Sequence, residues 1–356
     1  RSSHPKLLPR NSNSHARRHR HRAAPLGTIG RDGGTTPVTK DLVDGRTEPT
    51  PAWDTMDTLD YHQSMILDRN RVRAFQDAVD REVRPGDVVL ELGCGIGLFA
   101  CLAARAGARR VYAIEEGPIA EVALQFIFEN GFGDRVEMIR GLSTAVELPE
   151  PVDLVVSETI GNMGFDEGIV EWINDAHVRF LRPGGSIIPR KVETLVAAVE
   201  VPADYDFVDG WSGDHHGFDF SAIRRAARGS VFWTDLSPRH VVTAPAVCFG
   251  ADLTTFSSAP VSGRAELTAR RSAEIHGIGA WFRADMGADQ TLSNQPPSPV
   301  PSWSQVVLPI ERPLTVEAGE RLAVEIVGTT TGHTISWHIE HLPDPGPTRS
   351  LSLIHI

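Results

Sequence analysis

The chain runs to 356 residues, 41% hydrophobic and 23% charged, with a formal net charge of −11. That length suits two domains with ample core, and the longest nearly apolar run, Leu92 to Ala104, is too short and glycine-broken to span a membrane. Cys94, Cys101 and Cys248 fit neither a zinc nor a C-x-x-C spacing, so a reduced, cytoplasmic protein without a metal site is expected.

Both ends differ from the body. Residues 1–22 hold seven Lys/Arg and no acid, which reads as translated upstream sequence or a disordered tail, with a nucleic-acid arm as the other reading. Residues 23–52 are rich in Gly, Pro and Thr, so 1–52 is expected to be a disordered or artefactual leader. Residues 346–356 read as a tail whose last six, LSLIHI, look adapter-derived. Without the basic leader, 28 Lys/Arg face 46 Asp/Glu, a body suited to a cationic substrate and not to nucleic acid.

From Tyr61 the pattern turns helical. Met65, Asp68, Val72, Phe75 and Val79 recur at spacings of three and four, one face of a helix. An acid in that stripe is either a helix-start cap or an inward-facing active-site group. Arg71 is placed to reach an anionic ligand or simply to face solvent. Val88 to Leu92 reads as a buried parallel strand. The glycine loop Gly93-Cys94-Gly95-Ile96-Gly97 follows, then a helix from Leu98 to about Ala106. Val111 to Ile114 is a second strand with Glu115 at its end, where an acid accepts hydrogen bonds from ribose hydroxyls. Pro118 opens a helix that Gly131 ends. Val136 to Ile139 and Asp153 to Val156 are further strands, Glu167 to Leu181 is helical, and Pro183-Gly184-Gly185 turns the chain into the strand Ser186 to Ile188. The alternation predicts a parallel sheet.

Beyond Pro189 the runs are short and β-rich: Lys191 to Val201, Ala280 to Met286, Gln305 to Ile310, Leu322 to Val327 and Thr334 to Leu342. In the last, Ile335, Trp337 and Ile339 alternate with polar residues, which predicts one buried face. An antiparallel sandwich or barrel is expected. Residues 203–240 include Trp211, Phe218, Phe220 and Phe232 without strand alternation, an aromatic surface that wants a partner.

A dinucleotide fingerprint needs a glycine where Leu98 stands. The pattern here, E-x-G-x-G-x-G, instead resembles the first motif of class I S-adenosylmethionine-dependent methyltransferases. After the fourth strand comes Ser157-Glu158-Thr159-Ile160-Gly161, with Glu167 nine positions past Glu158. Gly161 and Gly164 let the loop fold back and bring the two acids together. Paired carboxylates match the guanidinium fork and can polarise a group whose pKa is about 13.8 and whose lone pair is delocalised. The bland reading is a surface loop that contains acids.

S-E-x-x-G…E resembles the double-glutamate loop of the protein arginine methyltransferases, and the resemblance runs from about Tyr61 to His341. His62-Gln-Ser-Met65-Ile-Leu-Asp68-Arg-Asn-Arg71 is similar to that family's H-E-E-M-L-x-D-x-x-R segment, Gly217-Phe-Asp-Phe-Ser221 to the start of its dimerisation arm, and Pro301-Ser302-Trp303 to its T-H-W loop. The resemblance implies an α/β fold: a Rossmann-like S-adenosylmethionine-binding domain (53–189), then an antiparallel β-barrel domain (190–345) with a helical dimerisation arm over about 203–240. It implies a homodimer that methylates arginine in proteins or peptides, acting on neither nucleic acid nor membrane. Glu158, Glu167, Asp68 and Ser302 are the implied catalytic set. His62, Arg71, Gly93, Gly95, Gly97, Glu115, Ser143 and Thr144 would hold the cofactor, and Met65 and Trp303 the substrate.

Several positions depart from the family. Its paired tyrosines before the first helix match Ala52 and Met56, its loop histidine matches Ser302, and its adenine-contacting glutamate matches Thr144. Ser302 with Met65 leaves the methylation type open. Two other functions keep the fold: methylation of a small guanidine, amine or peptide natural product, or a non-catalytic cofactor-binding dimeric scaffold.

Overall fold

The computed structural model describes residues 59–212, 215–256, 261–328 and 335–342. The expected leader 1–52, the segment with Ala52 and Met56, and the tail 346–356 lie outside them.

Helices α1 (Leu59–Leu67) and α2 (Arg69–Glu82) open the described chain. The stripe from Met65 to Val79 predicts one helix; the structure breaks it at Asp68, whose backbone is extended (φ −73°, ψ 91°). The Asp68 carboxylate accepts the N–H groups of Asn70 and Arg71, so it caps a new helix.

Then come β1 (Val88–Leu92), α3 (Leu98–Ala106), β2 (Arg110–Glu115), α4 (Ala120–Glu129), β3 (Val136–Arg140), β4 (Val152–Ser157), α5 (Ile169–Arg179) and β5 (Leu181–Ile188). The five strands form a parallel sheet in the order β3-β2-β1-β4-β5, with β1 buried along its whole length. Leu92 lies in register with Ile114 and with Ser157. The residues that follow, Gly93, Glu115 and Glu158, therefore emerge along one C-terminal edge, where such sheets take ligands. Pro183-Gly184-Gly185 lies inside β5 and not before it. The register against β4 shifts there, and Gly184 takes a φ of 77° that makes room for the irregularity.

The antiparallel part holds β6 (Lys191–Val199), α6 (Pro202–Asp209), α7 (Ser221–Arg228), β7 (Phe232–Thr234), β8 (Ala246–Asp252), β9 (Ser262–Thr268), β10 (Ala273–Asp285), β11 (Thr291–Ser293), β12 (Gln305–Val316), β13 (Arg321–Gly328) and β14 (Ile335–His341). One sheet runs β7-β12-β10-β6-β8 with β11 beside β10, and the other β14-β13-β9. Val196, Ile278 and Leu308 pack with Leu267, Leu322 and Val324 between them. The α/β class with an antiparallel second part stands. In β14, at the end of its sheet, all seven residues are half-buried, and the expected face, Ile335, Trp337 and Ile339, packs against this core.

Residues 203–240, the expected arm, hold most of α6, all of α7 and the short strand β7. Arg224 Nε donates to Asp209 at 3.0 Å and ties α7 to α6, Trp211 stacks on Phe220, and Phe218 stays 71% exposed. Val192, Phe282 and Trp303 from beyond residue 189 join Leu90, Ile160 and Phe165 in one core, so the parallel sheet packs directly on the antiparallel part.

Candidate active site

A cavity of about 370 Å3 opens at the C-terminal edge of β1, β2 and β4. Its floor is the glycine loop. Gly93 has φ 64°, and a Cβ there would stand 2.8 Å from Thr159; Gly95 has φ 53°, and its Cβ would stand 3.1 Å from the His62 ring. A side chain at either place would push against the loop after β4 or against α1. Glu115 braces the same loop, accepting the Gly95 N–H at 2.8 Å and the Gly117 N–H at 2.9 Å.

Arg71 and Glu158 form a buried ion pair, with 5% and 8% of their side chains exposed. Arg71 also donates to the Met65 carbonyl at 3.2 Å and lies over the rings of Phe99 and Trp303. Its Nε is buried with no hydrogen-bond partner. Burial raises the Glu158 carboxyl against the opposing pull of Arg71. Glu167 lacks such a cation: burial first, then the charges of Glu158 and Asp166, push its pKa up to about 8.

The loop carrying the two glutamates is tightly defined. The Asp166 carboxylate accepts the N–H groups of Asn162 and Met163, each at 2.9 Å, and fills the space where a Gly161 side chain would be. Trp172 Nε1 donates to the Glu167 carbonyl at 3.0 Å. Three side chains of the antiparallel part hold the other end: Trp303 Nε1 on the Ile160 carbonyl (2.9 Å), Asn294 on that of Asn162 (3.0 Å) and Thr194 on that of Met163 (2.6 Å).

Of the residues expected at the site, the cavity gathers His62, Met65, Arg71, Gly93, Gly95, Glu115, Glu158 and Glu167. Gly97 is displaced to the entry of α3. Asp68, Ser302 and Trp303 stand behind Arg71, with Ser302 Oγ donating to Asp68 at 2.7 Å. Asp68 is thus both cap and inward-facing group. Ser143 and Thr144 form a 3-10 turn outside the cavity, and Thr144 is exposed. The lining residues that the sequence did not point to include Tyr61 and Glu91. Glu91 is buried, its Oε2 lacks a partner, and burial raises its pKa to about 8. The acid that opens E-x-G-x-G-x-G was its signal. Among the described residues no group of three or more His, Cys, Asp or Glu is arranged to hold a metal.

Residues 192–339 match the family described as arginine methyltransferase oligomerization subdomain, and residues 75–189 match ribosomal protein L11 methyltransferase. The chain is 33% identical over 276 residues to an arginine N(omega)-methyltransferase of Streptomyces achromogenes subsp. streptozoticus, covering 75% of each chain. It is 32% identical to protein arginine N-methyltransferase 1 of Schizosaccharomyces pombe, covering 73% of this chain and 78% of the relative. In structure it resembles the Trypanosoma brucei PRMT1 enzyme-prozyme heterotetrameric complex with AdoHcy, with TM-score 0.75 and 25% identity over 83% of this chain and 97% of that one. Arabidopsis thaliana protein arginine methyltransferase 10, at TM-score 0.69 and 22% identity over 81% and 94%, shares the fold.

Proposed function

Because this chain belongs to the protein arginine methyltransferase family, we propose that it methylates guanidinium nitrogens of arginine in proteins or peptides, using S-adenosylmethionine. The observation that carries the reading is the meeting of Glu158 and Glu167 in one cavity with Arg71 and the glycine loop.

The cavity suits that cofactor on its own chemistry. Arg71 Nε and Glu91 Oε2 are buried atoms of opposite preference, each without a partner, as the carboxylate and ammonium of an amino-acid ligand require. Arg71 would hold the carboxylate and Glu115 the ribose, with His62 and the loop glycines against the methionine end. Ser143 and Thr144 would meet the adenine from the rim. When bound, the cofactor supplies a methyl group on a positive sulfur.

Glu158 and Glu167 would grip the guanidinium and draw its charge toward themselves, leaving the remaining terminal nitrogen richer in electron density. The guanidinium must lose a proton as it gains a methyl group. Glu167, with no cation of its own and a raised pKa, suits that acceptance better than Glu158, which is already paired with Arg71.

We further propose a cytoplasmic homodimer in which residues 203–240 dock on the cofactor domain, 53–189, of the partner, with 190–345 as the second domain. The exposed Phe218 and the oligomerization subdomain match support the assembly, and three free, buried cysteines support the compartment. Glu158 and Glu167 both line the cavity, which speaks against a non-catalytic scaffold.

One observation favours a second reading. The Streptomyces relative is named for arginine without the word protein, so free arginine or a small guanidine is the alternative acceptor. The test is incubation of the purified chain with methyl-labelled cofactor and either a cell lysate or free arginine, followed by mass spectrometry. Label on protein-borne arginine is expected. Label on free arginine alone selects the second reading, and label on neither rejects both.

A further inference from the structure

Glu158 meets a cation even without substrate, namely Arg71. Glu167 meets only like charges nearby, from Glu158 and Asp166, with Arg71 as the one opposing influence. A carboxylate in that position needs a neutral donor that keeps it aimed without cancelling the charge that attracts the substrate. Tyr61 meets that need. It lies in the first turn of α1, four residues before Met65, so the two share a helix face, and both line the cavity with Glu158 and Glu167. Of the charged groups acting on its phenol, Glu167 acts most strongly, followed by Glu158 and then Arg71 and Asp166. Burial and those carboxylates push its pKa well above the ordinary tyrosine range, so the hydroxyl keeps its proton at any working pH.

The chain has three tyrosines, and the other two are committed elsewhere. Tyr112 donates to Glu150 at 3.3 Å, and Tyr205 to the carbonyls of Ile310 and Glu311 at 2.9 and 3.0 Å. A guanidinium carries five N–H donors in one plane, and a phenol oxygen can accept from it while donating to a carboxylate.

Resting on the arginine-methylation reading, we propose that Tyr61 is the third member of the guanidinium clamp. Its hydroxyl donates to Glu167 and its oxygen accepts an N–H of the substrate. It is a positioning residue for Glu167 and a specificity residue for the planar head group, which an ammonium substrate would use less well.

The test compares the full chain with its Tyr61→Phe variant, which keeps the ring and removes the oxygen. The kcat/KM for an arginine-bearing peptide is followed from about pH 6 to about pH 9.5, with S-adenosylhomocysteine affinity measured alongside by calorimetry. The expected result is a loss of about tenfold in kcat/KM, the size of one hydrogen bond to a charged group, with cofactor-product affinity within about twofold. The acid limb should also move to higher pH, because Glu167 loses a donor that favours its charged form. Unchanged kcat/KM and pH profile overturn the proposal. So does an equal loss of S-adenosylhomocysteine affinity, which would mark Tyr61 as packing for α1. A wild-type chain that binds S-adenosylhomocysteine yet methylates no arginine substrate refutes the activity reading itself, and the clamp with it.

Discussion

Ser302 gives both its backbone N–H and its hydroxyl to one oxygen of Asp68, Oδ2, at 3.1 and 2.7 Å. The other oxygen, Oδ1, takes the N–H groups that start α2. A single buried carboxylate therefore joins the α1–α2 junction to a loop of the antiparallel part. With its acceptor sites filled by structural donors, it is expected to work as a seam more than as a base.

Asp68→Ala removes a helix cap and a seam together and is expected to cost about 2–4 kcal/mol, from typical cap losses and hydrogen bonds to a charged acceptor. Ser302→Ala removes one such bond, about 1–2 kcal/mol. Urea midpoints measure both. A seam also predicts an unaltered pH profile of turnover in Ser302→Ala, and a displaced profile would make the pair a proton relay.

Glu158→Gln keeps shape and removes a charge proposed to polarise the guanidinium as the methyl group moves. Turnover is expected to fall about 10²-fold, or about 2.7 kcal/mol, and Glu167→Gln should do likewise. The double variant should fall well short of the product of the two losses, because the pair acts as one unit. Near-normal single variants would remove the clamp from consideration.

The raised pKa of Glu167, about 8, has a definite sign in stability and in binding. An unfolded glutamate titrates near about 4.3, so the folded chain holds a proton there at neutral pH that the unfolded chain lacks. The stability this group contributes is full below that value and fades as pH rises through about 8. Glu167→Gln, which cannot ionise, should flatten that decline in chemical denaturation of the ligand-free chain. Guanidinium binding favours the carboxylate, so peptide binding near neutral pH should release a proton. Calorimetry in two buffers of different ionisation heat detects it, and equal apparent heats would contradict the raised pKa.

Glu115→Ala should weaken S-adenosylmethionine binding by about 1.5–3 kcal/mol, the range for hydrogen bonds to a charged group. Since Glu115 also holds the Gly95 and Gly117 N–H groups, Glu115→Gln should lose less. Calorimetry settles both. Tight NAD binding without S-adenosylmethionine binding would overturn the cofactor assignment.

In assembly, Phe218→Glu places a charge on an exposed arm residue, and Phe128→Glu places one on α4, where Val122, Leu124 and Phe128 are exposed. An isologous contact counts each substitution twice. Sedimentation should show dimer for the wild type at micromolar concentration and a monomer shift for at least the arm variant. A wild-type monomer that methylates normally would exclude the dimer.

The parallel half was legible in the sequence because buried strands, glycine turns and helix caps are local signals. Val88 to Leu92, the loop and Glu115 stand where those signals put them. The break at Asp68 was legible only as one alternative, the helix-start cap: Val72 still donates to the Asp68 carbonyl at 3.0 Å, so the apolar spacing survives a change of helix. Ala246–Asp252 and Ser262–Thr268 were missed as strands because their glycines and charges blur the alternation. The Arg71–Glu158 pair joins residues 87 positions apart, and the meeting of Tyr61 and Glu167 in one cavity is likewise a product of tertiary folding, which no local window contains.

The double-glutamate loop leaves a strand of the parallel sheet, yet Thr194, Asn294 and Trp303 fix its carbonyls from the other half. The two halves therefore form one tool and not a transplantable module. A chimaera that exchanged the antiparallel half for an unrelated partner would keep the glycine loop and Glu115 but lose the Trp303 ring behind Arg71 and the shape of the loop proposed to read the acceptor. Grafting this chemistry onto another scaffold means carrying those three side chains along with the two acids.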